Sequence, residues 1–300
     1  MIGALNAGLT MRGDTPFATC FLQALANVLD TRGVADPLRR LGPALGFGRR
    51  GEARLTGGER MIANTAALTG LALTRHHHMD WSHAIRFEQE TLDAGGDLIV
   101  GLDSFDIPSP YEKVEHLTHA VVVLGHRDDH VLVSDAMNHP QPRRMDPATY
   151  AESRMSAAGA GVSIVCAGRV GEPLDEAGMV GFLAREVTAH RAELPLAAAF
   201  AAEVADGDGI ADVADVAAER LVLGQLVAGL NRSWAAEAAK ASAGLSRRWY
   251  LAHTMAREVA CGNAAPRPAR LARLLTELHG RETVFNEMLT DYLAADGIRT

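Results

Sequence analysis

The second half of the chain restricts the fold more than any other feature. From residue 172 to 298 it is rich in Ala and Leu, with apolar residues at helical spacing almost throughout. Pro195, the DGDG of 206–209 and the GNAAPRP of 262–268 interrupt the pattern. We therefore expect a helical bundle of about 125 residues. Its helices are predicted near 174–191, 195–205, 211–228, 231–243, 245–260 and 267–295.

The first half, residues 1–170, mixes two periodicities. Some runs have the spacing of an amphipathic helix, and others are the short apolar runs of buried strands. The sequence therefore predicts an α+β domain over 1–170, followed by an all-helical domain over 171–300. The clearest elements of the first half are a helix over 20–29, a strand at LALTRHHH, a strand over 97–102, a hairpin of 119–126 with 130–136, and a strand over 161–168.

Composition narrows the class of protein. Of the 300 residues, 48% are hydrophobic and 22% are charged, which is the balance of a soluble globular protein. The net charge of −8 disfavours nucleic-acid binding, because a phosphate backbone attracts clustered Lys and Arg. No apolar run is long enough to span a membrane, and the first residues do not resemble a signal peptide. Three scattered cysteines do not suit a disulfide framework, so we expect a reducing, cytoplasmic setting.

Cys20 is the first residue with the character of a catalytic group. It lies at or near the start of the predicted helix, which Thr19, or Thr15 before Pro16, is able to cap. The positive end of a helix favours the thiolate over the thiol, and a thiolate is the nucleophile that acyl transfer needs. The alternative is that Cys20 is one more small, buried apolar residue.

His119 and Asp135 stand at opposite ends of the predicted hairpin. If the hairpin turns near Asp128, residue 119 lies opposite about 137 and residue 135 opposite about 121. The two side chains then share one face as diagonal neighbours, roughly 7–8 Å apart before their own reach. A carboxylate at that place fixes the tautomer of the imidazole and stabilises its protonated form. The alternative is an ordinary solvent-edge pair at two strand ends.

This order of residues resembles a known family. A Cys on an N-terminal helix, a distant His opening a strand and an Asp at the end of the next strand resemble the papain-like fold. The stretch HAVVVLGHRDDHVLVSDAMN resembles its bacteriocin-processing cysteine peptidases. A mixed half followed by a helical region resembles the butirosin-biosynthesis family, whose cysteine acyltransferases move an acyl group from an acyl-carrier-protein thioester to an amine. The resemblance implies Cys20 as nucleophile, His119 as general base and acid, and Asp135 as the residue that orients His119.

One departure from the papain-like pattern concerns the oxyanion. Papain-like enzymes usually carry a Gln a few residues before the Cys, whereas this chain has RGDTPFAT there, with Asp14 and no Gln. A carboxylate repels an oxyanion, so the expected donors are the backbone N–H of Cys20 and a hydroxyl such as that of Thr19. A missing side-chain donor costs about 3–4 kcal/mol in enzymes that rely on one, which leaves open a relative that has lost activity.

The loop LDSFDIPSPYEKVEHLT leads directly into His119. It is polar and holds two prolines, and Asp103, Tyr111 or Glu115 is expected to meet substrate there. A plain surface connection is an equally good interpretation.

Other motifs are interpreted structurally. In the HHH of 76–78, only His76 and His78 share a face of a strand, so a metal site with Asp80 is not favoured. The GDG of 207–209 lacks the spaced acceptors of a calcium loop and is read as a turn. Cys166 is read as core and Cys261 as a helix end. The sequence thus predicts neither a metal nor a cofactor.

The leading functional prediction is a thiol-dependent acyltransferase that forms an amide in the biosynthesis of a specialised metabolite, a natural product. Its donor is an acyl carrier protein or small acyl thioester, and its acceptor is a small-molecule amine. Two alternatives stay open at this point. One is a cysteine peptidase or amidase that uses water, and the other is a non-catalytic binding or scaffolding relative.

Overall fold

The computed structural model describes residues 19–50, 54–56, 59–107, 112–135, 137, 141–206, 213–260 and 268–300. Its helices are α1 (Cys20–Thr31), α2 (Pro37–Arg40), α3 (Glu59–Thr69), α4 (Trp81–Asp93), α5 (Pro147–Met155), α6 (Glu176–Asp206), α7 (Ala214–Ala228), α8 (Ala235–Ala260) and α9 (Pro268–Ala295). Its strands are β1 (Gly48–Arg50), β2 (Arg54–Thr56), β3 (Leu71–His77), β4 (Asp97–Asp103), β5 (Thr118–His126), β6 (Val131–Ser134), β7 (Arg143–Met145) and β8 (Val162–Arg169). Within these ranges no helix is long and apolar enough to cross a membrane.

The chain divides into two compact units. The first runs to Pro37 and resumes over Thr69–Pro173, while the second consists of Leu38–Leu68 and Leu174–Thr300. The sequence predicts a single boundary, at residue 170. In the structure one boundary between the units falls between Pro173 and Leu174, and the residues from Leu38 to Leu68 group with the helices of the second half.

The first unit is built on a six-stranded antiparallel sheet in the order β3-β8-β4-β5-β6-β7. The mixed helix-and-strand architecture expected for the first half is therefore confirmed. Helices α4 and α5 cover one face of the sheet, where Phe87 and Tyr150 pack against apolar strand residues. The strand residues of this core include Leu98, Val100, Leu102, Val121, Val123, Val131, Val133 and Val165.

A buried carboxylate on α4 holds the C-terminal end of β5. Glu88 of α4 is fully buried and accepts hydrogen bonds from Arg154 Nε at 2.9 Å and from the Tyr150 hydroxyl at 2.8 Å. His126 Nε2, at the end of β5, lies 3.1 Å from the same carboxylate. A buried charge costs free energy unless it is paired in this way. Removal of one partner would leave the others uncompensated, so the network specifies how α4, α5 and β5 meet.

The second unit encloses a buried segment without regular secondary structure. Residues 41–47 have no regular secondary structure until β1 begins, yet all seven are buried. Buried backbone groups need hydrogen-bond partners, and side chains of distant helices supply them. Glu186 accepts from the Leu45 N–H at 2.9 Å, and Arg220 donates to the Leu45 carbonyl at 2.8 Å. These bonds explain why the segment belongs with the helices.

A buried polar cluster lies next to that segment. Glu282 Oε1 accepts from Arg220 Nε at 2.8 Å and from Trp249 Nε1 at 2.6 Å, and its Oε2 lies 3.1 Å from His190 Nε2. Burial opposes ionisation, but Arg220 and His190 outweigh it and hold the pKa of Glu282 at about 2. The Arg220 guanidinium also lies over the ring of Phe47, 5.1 Å from its centroid. Arg220 thus holds residues 41–47 against the helices, through its hydrogen bond to the Leu45 carbonyl and its contact with the Phe47 ring.

Two predicted helix breaks are wrong. Pro195 lies inside the continuous helix α6, and Gly244 lies inside the continuous helix α8. An interior proline removes a hydrogen bond and a glycine weakens a helix by roughly 1 kcal/mol. Burial of the neighbours compensates: Leu194 and Ala197 near Pro195, and Leu245 beside Gly244, lie in the core of the second unit. Tertiary packing therefore overrides local propensity at both places.

Truncation after residue 170 should destroy cooperative folding. The shortened chain keeps residues 41–47 but loses Glu186, Arg220 and Glu282, which hold and enclose that segment. Its apolar residues, among them Leu45 and Phe47, would then be exposed to water, and its backbone would lose the hydrogen bonds that hold its path. We expect an insoluble or molten fragment, to be checked by near-UV circular dichroism and a thermal scan beside the full chain. A sharp thermal transition in the fragment would contradict this expectation.

Glu219 should make stability depend on pH. It is fully buried, and neither carboxylate oxygen has a hydrogen-bond partner in the described part of the chain. Burial raises the pKa of Glu219 well above its usual value of 4.5. The folded state therefore holds a proton that the unfolded chain releases, and wild-type stability falls as pH rises from about 4.5. Glu219→Gln should be more stable than wild type by ~1–3 kcal/mol near neutral pH.

Denaturant titrations at about pH 4.5 and about pH 7.5 test this linkage. The gain from Glu219→Gln should nearly vanish at the lower pH, where the folded carboxyl is protonated and about half of the unfolded chains also hold the proton. Glu287→Gln, an exposed position on α9, is the matched control and should change little at either pH. Equal gains at the two pH values would show that Glu219 is not the titrating group.

Candidate active site

Cys20 is the first residue of α1, as the sequence predicts. Thr19 is the N-cap, and its Oγ1 accepts a hydrogen bond from the Leu22 N–H at 3.3 Å. A hydroxyl at this position satisfies one of the free N–H groups of the first turn. The thiol is therefore held at the positive end of a twelve-residue helix, where a negative charge is favoured.

The sulfur lies beside the edge of β5. The Ala120 N–H donates to Cys20 Sγ at 3.3 Å, and the Thr118 carbonyl lies 4.0 Å from the same atom. The last residue pair between β5 and β6 is Val122 with Ser134. Ala120 therefore lies beyond the paired part of that edge, and the thiol takes the place where a neighbouring strand would otherwise bond. Sequence reasoning missed this contact because it involves a backbone group.

His119 and Asp135 lie together next to the thiol. His119 is the second residue of β5, and Asp135 follows β6 directly. Both are 5% exposed, and His119 Nε2 lies 3.0 Å from Asp135 Oδ2. The Cys20 thiol forms a hydrogen bond with the His119 side chain. Because Asp135 occupies Nε2, Nδ1 is the ring nitrogen left for the sulfur. The structure thus brings together the three residues that the sequence singled out.

A β-bulge places His119 and Asp135 on the same face. At the turn, His126 pairs with Val131, but beyond a register shift between Val123 and Gly125 the pairing becomes Val123 with Val133. Opposite residues of an antiparallel pair share a face, so the shift brings residue 135 to the face of 121 and 119. Without the extra residue, Asp135 would point to the other face of the sheet.

The three side chains shift one another's ionisation. Burial alone would raise the pKa of Cys20, but the hydrogen bond and charge of His119, with the N–H groups of Ala120 and Phe21, bring this pKa below its usual value. Burial alone would lower the pKa of His119, but Asp135 and Cys20 raise this pKa to about 10. Each shift favours the charged form. The arrangement therefore favours a thiolate beside an imidazolium, which can attack a carbonyl carbon and return a proton to a leaving group.

Asp103 lies at the end of β4 and orders the loop before His119. Its side chain is 4% exposed, lies 2.8 Å from His116 Nδ1 and accepts from the Phe105 N–H at 3.0 Å. Asp103 also pairs with Thr118 across the sheet, one residue before His119. The carboxylate thus has a structural role, and its contact with substrate stays a prediction. The same holds for the Thr19 hydroxyl as an oxyanion donor.

The other candidate residues have different outcomes. Tyr111, Asp14, Cys261 and the GDG of 207–209 lie outside the described residues. Cys166 is 2% exposed, in β8, which agrees with its interpretation as core. In the described part of the chain, no group of three or more His, Cys, Asp or Glu side chains is arranged to hold a metal ion.

Comparison with known proteins adds no assignment. No protein-family model matches the chain, and no curated protein matches it significantly.

Alkylation by iodoacetamide should show the activated thiol. Because the pKa of Cys20 lies below its usual value, Cys20 should react at pH values where ordinary thiols, with a pKa of about 8.5, are inert. His119→Ala removes the hydrogen bond and the charge, and should move the midpoint of the pH–rate profile upward. Intact-protein mass spectrometry gives the rates, with Cys20→Ala as the background. A wild-type midpoint in the ordinary thiol range would exclude activation by His119.

Proposed function

We propose that this protein is a thiol-dependent acyltransferase that moves an acyl group from a thioester to an amine. The observation that carries the proposal is the contact of buried His119 with Asp135 on one side and the Cys20 thiol on the other. Cys20 is the nucleophile, His119 transfers the proton, and Asp135 holds the imidazole in orientation. This division of labour follows from the nitrogen that each partner occupies.

In the first half-reaction, the Cys20 thiolate attacks the carbonyl carbon of the thioester. A bond forms between Cys20 Sγ and the acyl carbon, and the bond from that carbon to the donor sulfur breaks. The His119 imidazolium gives its proton to the departing thiolate. Asp135 stabilises the imidazolium before this transfer and keeps the neutral ring in the tautomer that can accept a proton afterwards.

In the second half-reaction, an amine attacks the acyl carbon on Cys20. The new bond joins the amine nitrogen to that carbon, and the bond to Cys20 Sγ breaks. The nitrogen loses a proton to His119, which restores the thiolate–imidazolium pair. The product is an amide, and no oxidant or external cofactor enters the balance of atoms. A carrier protein or a small thiol is the donor, and a small-molecule amine is the acceptor.

The choice of a thioester over a peptide bond rests on the oxyanion and the leaving group. Attack on a peptide needs strong oxyanion stabilisation and protonation of a poor leaving amine. The sequence before Cys20 has no Gln to serve as side-chain donor. A thioester has an activated carbonyl and a good leaving group, so it demands less of the site. This difference favours transfer over proteolysis.

The proposal includes a fold and a setting. We take the first unit as papain-like, because its nucleophile opens a helix, its His lies on one strand of an antiparallel sheet and its Asp directly follows the neighbouring strand. Together with the helical half, this agrees with the resemblance to the butirosin-biosynthesis acyltransferases. Amide formation in a specialised metabolite, in the cytoplasm, is the corresponding role.

Acylation of Cys20 tests the proposal directly. A panel of acyl thioesters should add one acyl mass to the wild-type protein, and a suitable amine should then remove it faster than water does. Cys20→Ala should take up no acyl group while keeping its thermal transition. His119→Ala should lose nearly all of the rate, because the residues of one catalytic unit fail together.

The variant Asp135→Asn distinguishes the role of Asp135 in orienting His119 from its role in the stability of the fold. This variant keeps the shape of the side chain but loses control of the tautomer, so the acylation rate should fall far more than the thermal midpoint. A wild-type rate in Asp135→Asn would remove Asp135 from the catalytic set. Turnover of peptides without any acylation by the thioester panel would favour a cysteine peptidase instead.

A further inference from the structure

One face of α1 carries polar residues in line with the nucleophile. Cys20, Gln23 and Asn27 stand at positions 0, 3 and 7 of the helix, a spacing that places them on the same face. Side chains on the opposite face are apolar and buried, and they account for the packing of the helix. These apolar residues are Leu22, Leu25 and Leu29.

Each of the two carboxamides on the Cys20 face has a polar atom without a hydrogen-bond partner in the part of the chain that the structure describes. Gln23 Oε1 and Asn27 Nδ2 are both buried, and neither has a hydrogen-bond partner among the described residues. Asn27 is only 5% exposed. Buried polar atoms in folded proteins are almost always bonded, so an orphaned pair on one helix face requires an explanation. Apolar packing of the helix does not explain the two carboxamides, and Gln23 Oε1 and Asn27 Nδ2 do not bond to each other.

We propose that Gln23 and Asn27 bind a secondary amide carried by the acyl donor. Such an amide has one N–H and one carbonyl, which match an acceptor on Gln23 and a donor on Asn27. A rotation of either carboxamide by 180° offers the other atom, so the pair suits an amide in both senses. This inference depends on the proposed acyl transfer in one respect: it takes the bound ligand to be the acyl donor.

The spacing sets where the amide lies relative to the reacting carbonyl. Along the helix axis, Gln23 lies about 4.5 Å and Asn27 about 10.5 Å beyond Cys20, at a rise of 1.5 Å per residue. An amide a few bonds from the carbonyl reaches both side chains while the thiol attacks. The amide belongs either to the thiol arm of the donor or to its acyl chain, and suitable probes distinguish the two.

The thiol arm is tested without any acyl transfer. The probes are pyridyl disulfides of N-acetylcysteamine, which carries the amide, and of 1-pentanethiol, which has a similar length without it. The Cys20 thiolate attacks the alkyl sulfur, a new S–S bond forms, and the pyridine thiolate leaves and is protonated by solvent. Mass added at Cys20 gives the rate, and Cys20→Ala corrects for other thiols. Wild type should prefer the amide probe at least about fivefold.

Variants identify the groups responsible. Gln23→Met and Asn27→Leu keep the approximate size of each side chain and remove its hydrogen bond. Each should reduce the preference to below about twofold while the rate with the pentyl probe stays near wild type. The matched control is Asp30→Asn, exposed on the same helix, which should keep the full preference. Since Gln23 is only partly buried, its variant remains informative if Asn27→Leu is unstable.

Thioesters provide the second arm. The hexanoyl thioester of N-acetylcysteamine carries the amide in the thiol arm. The thioester of N-acetylglycine with 1-pentanethiol carries it in the acyl chain. The thioester of hexanoic acid with 1-pentanethiol has no amide. Faster acylation of Cys20 by either amide donor, lost in Gln23→Met, supports the site and locates the amide. The absence of any amide preference with both disulfides and thioesters would overturn it.

The two proposals can fail separately. A disulfide preference without acylation by any thioester would retain the amide site and reject acyl transfer. Acylation at equal rates by all three thioesters, together with equal disulfide rates, would retain acyl transfer and reject the amide site.

Discussion

The pairing of β5 with β6 ends at Val122 and Ser134, and the candidate site is built on the edge that this leaves open. The Ala120 N–H lies just beyond the last pair and donates to Cys20 Sγ. If β6 continued in register, its backbone would compete with the thiol for that hydrogen bond. The end of one strand thus creates a place for the nucleophile, and the residue that follows the strand, Asp135, supplies the carboxylate for His119.

The shared face of His119 and Asp135 depends equally on a β-bulge. The Arg127 N–H donates to the His130 carbonyl, so the hairpin has a two-residue turn and a register one residue different from the one predicted. The bulge at Leu124 restores the predicted register beyond it. His119 and Asp135 therefore lie on the same face, as predicted, because the shorter turn and the bulge compensate each other. Apolar alternation identifies strands, but it does not reveal which residue of AVVVLG is left unpaired.

Local sequence signals predicted well wherever local physics decides the structure. Thr19 is predicted to cap its helix, and its side chain accepts the expected hydrogen bond from the first turn. The path of residues 41–47 could not be predicted in this way, because Gly and Pro there are typical of a loop. The partners of Leu45 lie 141 and 175 residues further along the chain. Only tertiary structure brings them together, as it also keeps α6 continuous through Pro195.

The insertion of residues 38–68 into the second unit has a consequence for the assembly of the site. Cys20 and Ala120 are 100 residues apart in sequence, so their contact is paid for by ordering the chain between them. An unfolded insertion of this length would add a loop-closure cost of about 3 kcal/mol, from (3/2)RT ln n. When the segment is instead held by Glu186 and Arg220, folding of the second unit removes most of that cost. The helices thus favour the contact of Cys20 with β5 through chain connectivity.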